Sequence, residues 1–228
     1  MKTYGQYCPV ARGAEIFASR WTPVIVRNLL LGCETFSEIR AGAPGISRSL
    51  LAERLRELER ARVVERRPAP KGRGFLYSLT PAGKELNDVC TALGTWGARW
   101  LELAPEHLDA GVVLWALCRH IDVDRLPEQR MVVRFDLTDG SRGRFWIVAQ
   151  KPEAEVCVHD PGFDDDVVVR TSSESLANWH LGKFSLGQGL HAGVMEVDGR
   201  RPAVRELASW GGLSPYASVK PARARSRA

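Results

Sequence analysis

The chain lacks any apolar run approaching the roughly 20 residues that a membrane-spanning helix requires. Its longest, Val112 to Cys118, falls far short, and Met1 to Arg12 holds no continuous apolar stretch that would read as a secretory leader. A cytoplasmic protein is therefore expected. Cysteine is sparse and scattered: Cys8, Cys33, Cys90, Cys118 and Cys157 are odd in number and form no CxxC pair, which argues against a disulfide framework or a zinc finger and leaves reduced thiols as the default. No internal repeat is present. Catalytic patterns are missing too. Gly187-x-Gly189-x-x-x-Gly193 precedes no helix start and so fails as a phosphate loop. Cys118 and His120 are two residues apart on a helix and share no face. Cys157 and His159 share a strand face near Asp164, Asp165 and Asp166, but two ligands beside an acidic turn read more simply as an edge strand and a solvated loop. No Ser/His/Asp arrangement can be argued. These absences predict a protein that is not an enzyme and needs neither metal nor cofactor.

What is present is enough for two ordinary domains: 228 residues, 44% hydrophobic and 26% charged. The net charge of +5 is unevenly divided. Residues 1–100 carry 16 Lys and Arg against 9 Asp and Glu, residues 101–218 carry 12 against 18, and the last ten carry 4 against none. A phosphate-bearing partner thus suits the first half, and the apolar-poor tail is expected to be disordered.

Residues 34 to 80 organise the first half. Gly45-Ile46-Ser47 is a helix start, with Ser47 able to cap free amides while Ile46 packs beneath. From there Leu51, Leu55 and Leu58, with Arg62, fall on one side of a helical wheel, and Ser49, Glu53, Arg56 and Arg60 fall on the other. A short helix from Phe36 to Arg40 precedes it, joined by a turn through Gly42, Pro44 and Gly45. Beyond Val63 and Val64 the pattern turns strand-like, and Lys71-Gly72-Arg73-Gly74 forms a glycine turn between arms ending at Arg67 and beginning at Phe75. Helix, turn, helix and hairpin in this order predict a winged helix-turn-helix. In such a fold base-reading positions lie in the first turns of the second helix, so Arg48, Ser49, Glu53 and Arg56 are candidates for base edges. Arg40 and Ser47 are placed for phosphate, and Lys71 and Arg73 for the neighbouring minor groove, with a solvated wing tip as the alternative.

The runs Cys8-Pro9-Val10, Arg20-Trp21-Thr22, Phe36-Ser37-Glu38-Ile39, Pro44-Gly45-Ile46-Ser47, Leu51, Arg54-Leu55, Leu58, Tyr77-Ser78-Leu79-Thr80 and Gly83 resemble the HxlR-type bacterial transcription regulators over residues 8–98. The resemblance implies a dimeric regulator of double-stranded DNA, with the N-terminal helix and the helix after the wing forming the subunit contact. It also implies that some members of the family sense oxidants or electrophiles at the cysteine matched by Cys8, which sits beside Pro9 at a helix edge; a buried, inert cysteine is the alternative. Two features depart from the pattern: the wing turn is a compact GRG, and the chain continues well past the usual end. Residues 81–103 place Leu86, Val89, Leu93, Trp96 and Trp100 at helical spacing, a stripe that reads as a subunit interface or as intrachain core.

The second half reads as an α+β domain with a meandering antiparallel sheet. A helix over about 107–120 carries Leu108, Val112, Trp115 and Leu117, and strands are expected near 131–138, 144–149, 156–159, 167–171 and 194–198, with helices over 173–183 and 201–210. That order is similar, less specifically, to the sterol-carrier-protein-like domains, which implies an apolar tunnel for a lipid-like small molecule. Phe135, Trp146, Trp179 and Phe184 are its candidate lining, with ordinary core packing as the alternative. The expected plan is a DNA-binding and dimerisation domain at 1–103, a connecting helix and linker at 104–125, a ligand domain at 126–214 and a basic disordered tail at 215–228. A transcription regulator of this plan, a homodimer without membrane association, is the leading expectation. A small-molecule carrier whose first half serves dimerisation only is the alternative.

Overall fold

A computed structural model describes residues 3–70, 74–104, 107–139 and 143–222. It divides into two compact units, the first ending at Trp96 and the second beginning at Gly97.

The first unit runs α1 (Pro9–Phe17), α2 (Thr22–Leu30), α3 (Phe36–Ala41), α4 (Arg48–Arg60), β1 (Val64–Pro68), β2 (Phe75–Leu79) and α5 (Pro81–Trp100), the last continuing past the division. Prolines open α1 and α2, where a missing amide hydrogen costs nothing. Gly32, at φ +81°, follows α2. The core is built from Ile25, Val26 and Leu29 of α2, Ile39 of α3 and the Leu51, Leu55 and Leu58 stripe of α4, all buried. Each such side chain removed from water contributes about 1.5–3 kcal/mol. Asn28 is fully buried and ties α2 to α3: its Nδ2 donates to the Ile39 carbonyl at 2.8 Å, and its Oδ1 accepts from Arg27, which also donates to the Gly42 carbonyl at 2.6 Å. The carbonyls at the end of a six-residue helix thereby find partners that the helix itself cannot supply. Arg62, grouped with the leucine stripe by spacing, lies beyond the end of α4, exposed and at φ +57°.

The second unit contains α6 (Ala110–His120), a 3-10 turn at Val123–Arg125, β3 (Met131–Leu137), β4 (Arg144–Gln150), β5 (Glu153–Cys157), β6 (Val167–Thr171), α7 (Ser173–His180), α8 (Leu186–His191), β7 (Met195–Gly199) and α9 (Arg201–Ser209). The sheet order is β5-β4-β3-β6-β7. The expected antiparallel meander is corrected to a mixed sheet: β3 and β6 run parallel, Val133 opposite Val167, because the chain leaves through β4 and β5 and re-enters on the other side of β3. One face carries Val133, Phe135, Phe145, Ile147, Val167 and Val169 into a core with Leu114, Leu117, Leu176 and Trp179 from the helices. On α6 the buried residues are Ala110, Leu114 and Leu117, a register different from the expected stripe with Trp115.

The helix α8 escapes a reading by propensity because Gly187 and Gly189 are poor helix formers. A capping box between Ser185 and Gln188 starts it, and a side chain at Gly189 would meet the Phe184 ring at 2.9 Å, so close packing requires glycine there. Residues 215–218 form a turn, and the Ala222 amide donates to the Arg99 carbonyl at 2.7 Å; residues 223–228 lie outside the described part. Among the described residues, no helix is long and apolar enough to cross a membrane.

Candidate nucleic-acid interface

Two caps position the helix-turn-helix. Thr35 accepts from the Glu38 amide at 3.2 Å while Glu38 accepts from the Thr35 amide at 2.8 Å, a reciprocal box that starts α3. Gly45, at φ +86°, turns the chain beside the Trp21 ring, where the left-handed conformation excludes most side chains. The hydroxyl of Ser47 then accepts from the Leu50 amide at 3.2 Å and starts α4 over the buried Ile46.

With its leucines turned inward, α4 presents Arg48, Ser49, Glu53, Arg56 and Arg60 to solvent. Among the described residues Arg48 and Arg56 have no ion-pair partner, so two cations, one in the first turn and one in the third, stand free for an anion. Ser49 lies 3.1 Å from Ser47 through their hydroxyls, placing both at the helix start. Glu53 stands on a flank of α4 that faces α1 rather than with the arginines alone, lining a groove with Glu15 and Glu57. Arg40 is exposed at the end of α3, ahead of the turn into α4.

The wing pairs β1 with β2, Val64 opposite Leu79 and Pro68 opposite Phe75, and the Tyr77 amide donates to the Glu34 carbonyl at 2.8 Å, fixing the hairpin to the start of α3. Lys71 and Arg73 lie outside the described residues. The structure instead draws attention to Arg66 and Arg67 of β1, which the sequence reading passed over. Both are exposed, and the Arg66 guanidinium rests 4.3 Å from the centre of the Phe75 ring, which holds the cation out along the wing. Their ion pairs, to Glu59 at 3.6 Å and Glu34 at 3.7 Å, are long and solvated and therefore weak. The signal was available in the strand pattern that follows Val64, where every residue through Pro68 is exposed.

The remaining candidates fall elsewhere. Cys8, half-buried, immediately precedes α1 and its side chain makes no capping bond. Cys33 is buried, and burial pushes the Cys118 thiol up to about 12. The proposed pocket quartet does not share one site. Phe135 and Trp179 are packed in the core with Phe184 against them, whereas Trp146 lies on the opposite face, since neighbours along a strand alternate and Phe145 and Ile147 take the core side. There the Trp146 indole donates to Asp165 at 3.1 Å, and Asp165 also holds Arg134 at 2.5 Å. Asp166 accepts from the Val132 amide at 2.9 Å, so two of the three consecutive aspartates pin their loop to β3.

Helix, capped turn, exposed second helix and paired wing define a winged helix-turn-helix protein. The HxlR-like helix-turn-helix family profile matches residues 16–105. The uncharacterized HTH-type transcriptional regulator YvaP of Bacillus subtilis (strain 168) is 38% identical over 106 residues, 46% of this chain and 96% of that protein. The HTH-type transcriptional regulator YodB of the same organism is 35% identical over 97 residues, 42% of this chain and 87% of that protein. The crystal structure of diamide-treated YodB covers 40% of this chain and 93% of its own with a TM-score of 0.35 and 35% identity. The chain belongs to the HxlR-like helix-turn-helix family, a family of transcription regulators, and residues 106–228 lie outside the match.

Proposed function

We propose that this protein is a homodimeric, sequence-specific DNA-binding transcription regulator that places α4 in the major groove. The observation that carries this reading is the pair of exposed arginines, Arg48 and Arg56, unpaired among the described residues, in the first and third turns of a capped helix whose other face is core. Arginine is suited to a guanine edge because its fork donates two bonds in a fixed plane. Arg40 and Ser47 flank the helix start for phosphate, and Arg66 and Arg67 extend the cationic surface along the wing. The relatives, being transcription regulators of matching length to the first unit, support the same reading.

The test separates reading from positioning. Arg48→Ala or Arg56→Ala is expected to weaken the preferred site by about 1–3 kcal/mol and leave random duplex less affected, whereas Arg66→Ala weakens both alike. Equal losses on preferred and random DNA for both helix arginines assign them to phosphate. Cys8 belongs to the same proposal as a thiol switch: a mild oxidant shifts operator affinity in the wild type and not in Cys8→Ser.

The second unit is assigned an apolar ligand that biases DNA binding. Supporting it, the indole N–H of Trp210 is buried among the core residues without a hydrogen-bond partner among the described residues, a donor that a ligand's acceptor would satisfy. Native mass spectrometry of the purified protein tests this, with a bound lipid-like mass expected; a bare protein mass overturns it.

A further inference from the structure

The DNA-binding reading leaves Glu15 of α1 without a role, although its side chain is only 3% exposed. A carboxylate so enclosed persists only where donors surround it. Here the Thr3 hydroxyl and the Tyr4 amide both donate to Oε1 at 2.7 Å, and the Arg12 guanidinium pairs with Oε2. The Thr3 and Tyr4 bonds, and to a lesser degree Arg12, hold this carboxyl below the usual range against the opposing effect of burial. Two of the three donors therefore come from the segment ahead of α1. The carboxylate folds that segment back on the helix and closes a loop containing Gly5, at φ +65°, and Cys8.

The tethered segment borders a groove of about 720 Å³, lined by Thr3, Tyr4 and Glu15 together with Glu53, Arg54 and Glu57 of α4. Across it, Arg54 pairs with Glu57 at 2.5 Å, both side chains largely sequestered, yet Arg54 Nε is buried without a hydrogen-bond partner among the described residues. A spare buried donor thus shares a groove with a carboxylate whose principal donors sit on the segment ahead of α1. Losing those donors leaves the Glu15 carboxylate with Arg12 alone, and Arg54 is a second cation lining the same groove.

We propose that residues 3–8 form a strap latched by Glu15, and that release of the strap hands the Glu15 carboxylate to Arg54, drawing Arg54 from Glu57 and altering the flank of α4. The latched and released pairings are two discrete arrangements of one element. The regulatory consequence, a changed operator affinity, rests on the DNA-binding reading; the structural switch does not.

Hydrogen exchange on the full-length protein without DNA tests the switch directly. In Glu15→Gln the Tyr4 amide is expected to lose protection by roughly 10- to 100-fold, the range for a hydrogen bond to a charged acceptor. Tyr4→Pro removes the donor amide itself. Tyr4→Pro leaves the Glu15 carboxylate free for Arg54 and is expected to change exchange at residues 54–58 of α4, whereas Glu15→Gln removes the carboxylate and is expected to leave α4 unchanged, alone or combined with Tyr4→Pro. Unchanged Tyr4 protection in Glu15→Gln, an α4 indifferent to Tyr4→Pro, or an α4 response to Tyr4→Pro that persists in the double variant overturns the proposal. Should either variant unfold globally, Thr3→Val keeps the Arg12 pair and is read at α4 in the same way. A strap that passes this test in a protein that binds no DNA refutes the DNA reading alone.

Discussion

At the scale of single residues, Gly83 shows how a substitution that normally helps a helix is reversed by its surroundings. Glycine to alanine within a helix ordinarily gains about 1 kcal/mol. At Gly83, however, a Cβ would lie 2.1 Å from the Val63 carbonyl oxygen, a backbone atom with no room to yield. Thr80 fixes this approach, donating from its amide to Val63 at 3.1 Å and from its hydroxyl to Arg62 at 2.7 Å. Gly83→Ala is expected to cost roughly 3 kcal/mol through forced displacement of α5, outweighing the helix gain. Urea denaturation reads it, and a stability equal to wild type contradicts it. His180 is a second case. Its Nδ1 lies 2.8 Å from the Gly212 carbonyl, which can only accept, so Nδ1 carries a proton and donates. Burial pushes its pKa down to about 4; the Gly212 bond opposes this and the nearby His120 adds to it. The unfolded chain takes up a proton near pH 6.5 that the folded protein refuses. Stability is therefore full above that pH and falls as pH drops towards 4. Between pH 7 and pH 5 the loss is about 2 kcal/mol. His180→Gln is expected to flatten this dependence while lowering stability at pH 7; an undiminished pH dependence in the variant assigns it to other groups.

At the scale of elements, α5 carries the strongest unmet requirement. Val89, Leu93, Trp96 and Trp100 are exposed, and Gly83 is the buried residue of this helix. Of the two sequence readings for the stripe, exposure favours the one that needs a second subunit, since an exposed row of large apolar side chains gains only by association. Leu93→Glu or Trp96→Glu is expected to weaken the proposed dimer by at least about tenfold, because a symmetric interface contains each substitution twice, while circular dichroism of the monomer stays unchanged. Sedimentation velocity at micromolar concentration decides this; a dimer constant equal to wild type removes α5 from the interface. Other elements show why parts of the fold were legible and others not. The α4 register follows from leucines at helical spacing, and its start from Ser47, both local signals. The parallel pairing of β3 with β6 depends on where the chain re-enters the sheet, and α8 depends on the fit of Gly189 against Phe184; neither is local, so neither was visible in spacing.

At the scale of the whole molecule, the first hundred residues carry the excess of positive charge and the next 118 an excess of negative charge. The candidate site was legible as far as that charge and the α4 face allowed. Arg48 and Arg56 emerge exposed and unpaired among the described residues, while Arg66 needed the Phe75 ring to be seen, and the split of Trp146 from Phe135 needed the sheet. The central claim is that the basic unit binds duplex DNA largely through phosphates and selects sequence through α4. Equilibrium binding of the full-length protein to fragments recovered from its own genome, followed across a salt series, tests that claim most directly. A dimer making roughly 6 to 10 phosphate contacts is expected to show log K falling with log salt at a slope of about −5 to −9 on the preferred fragment. Binding that ignores salt, or no binding to any genomic fragment, contradicts it.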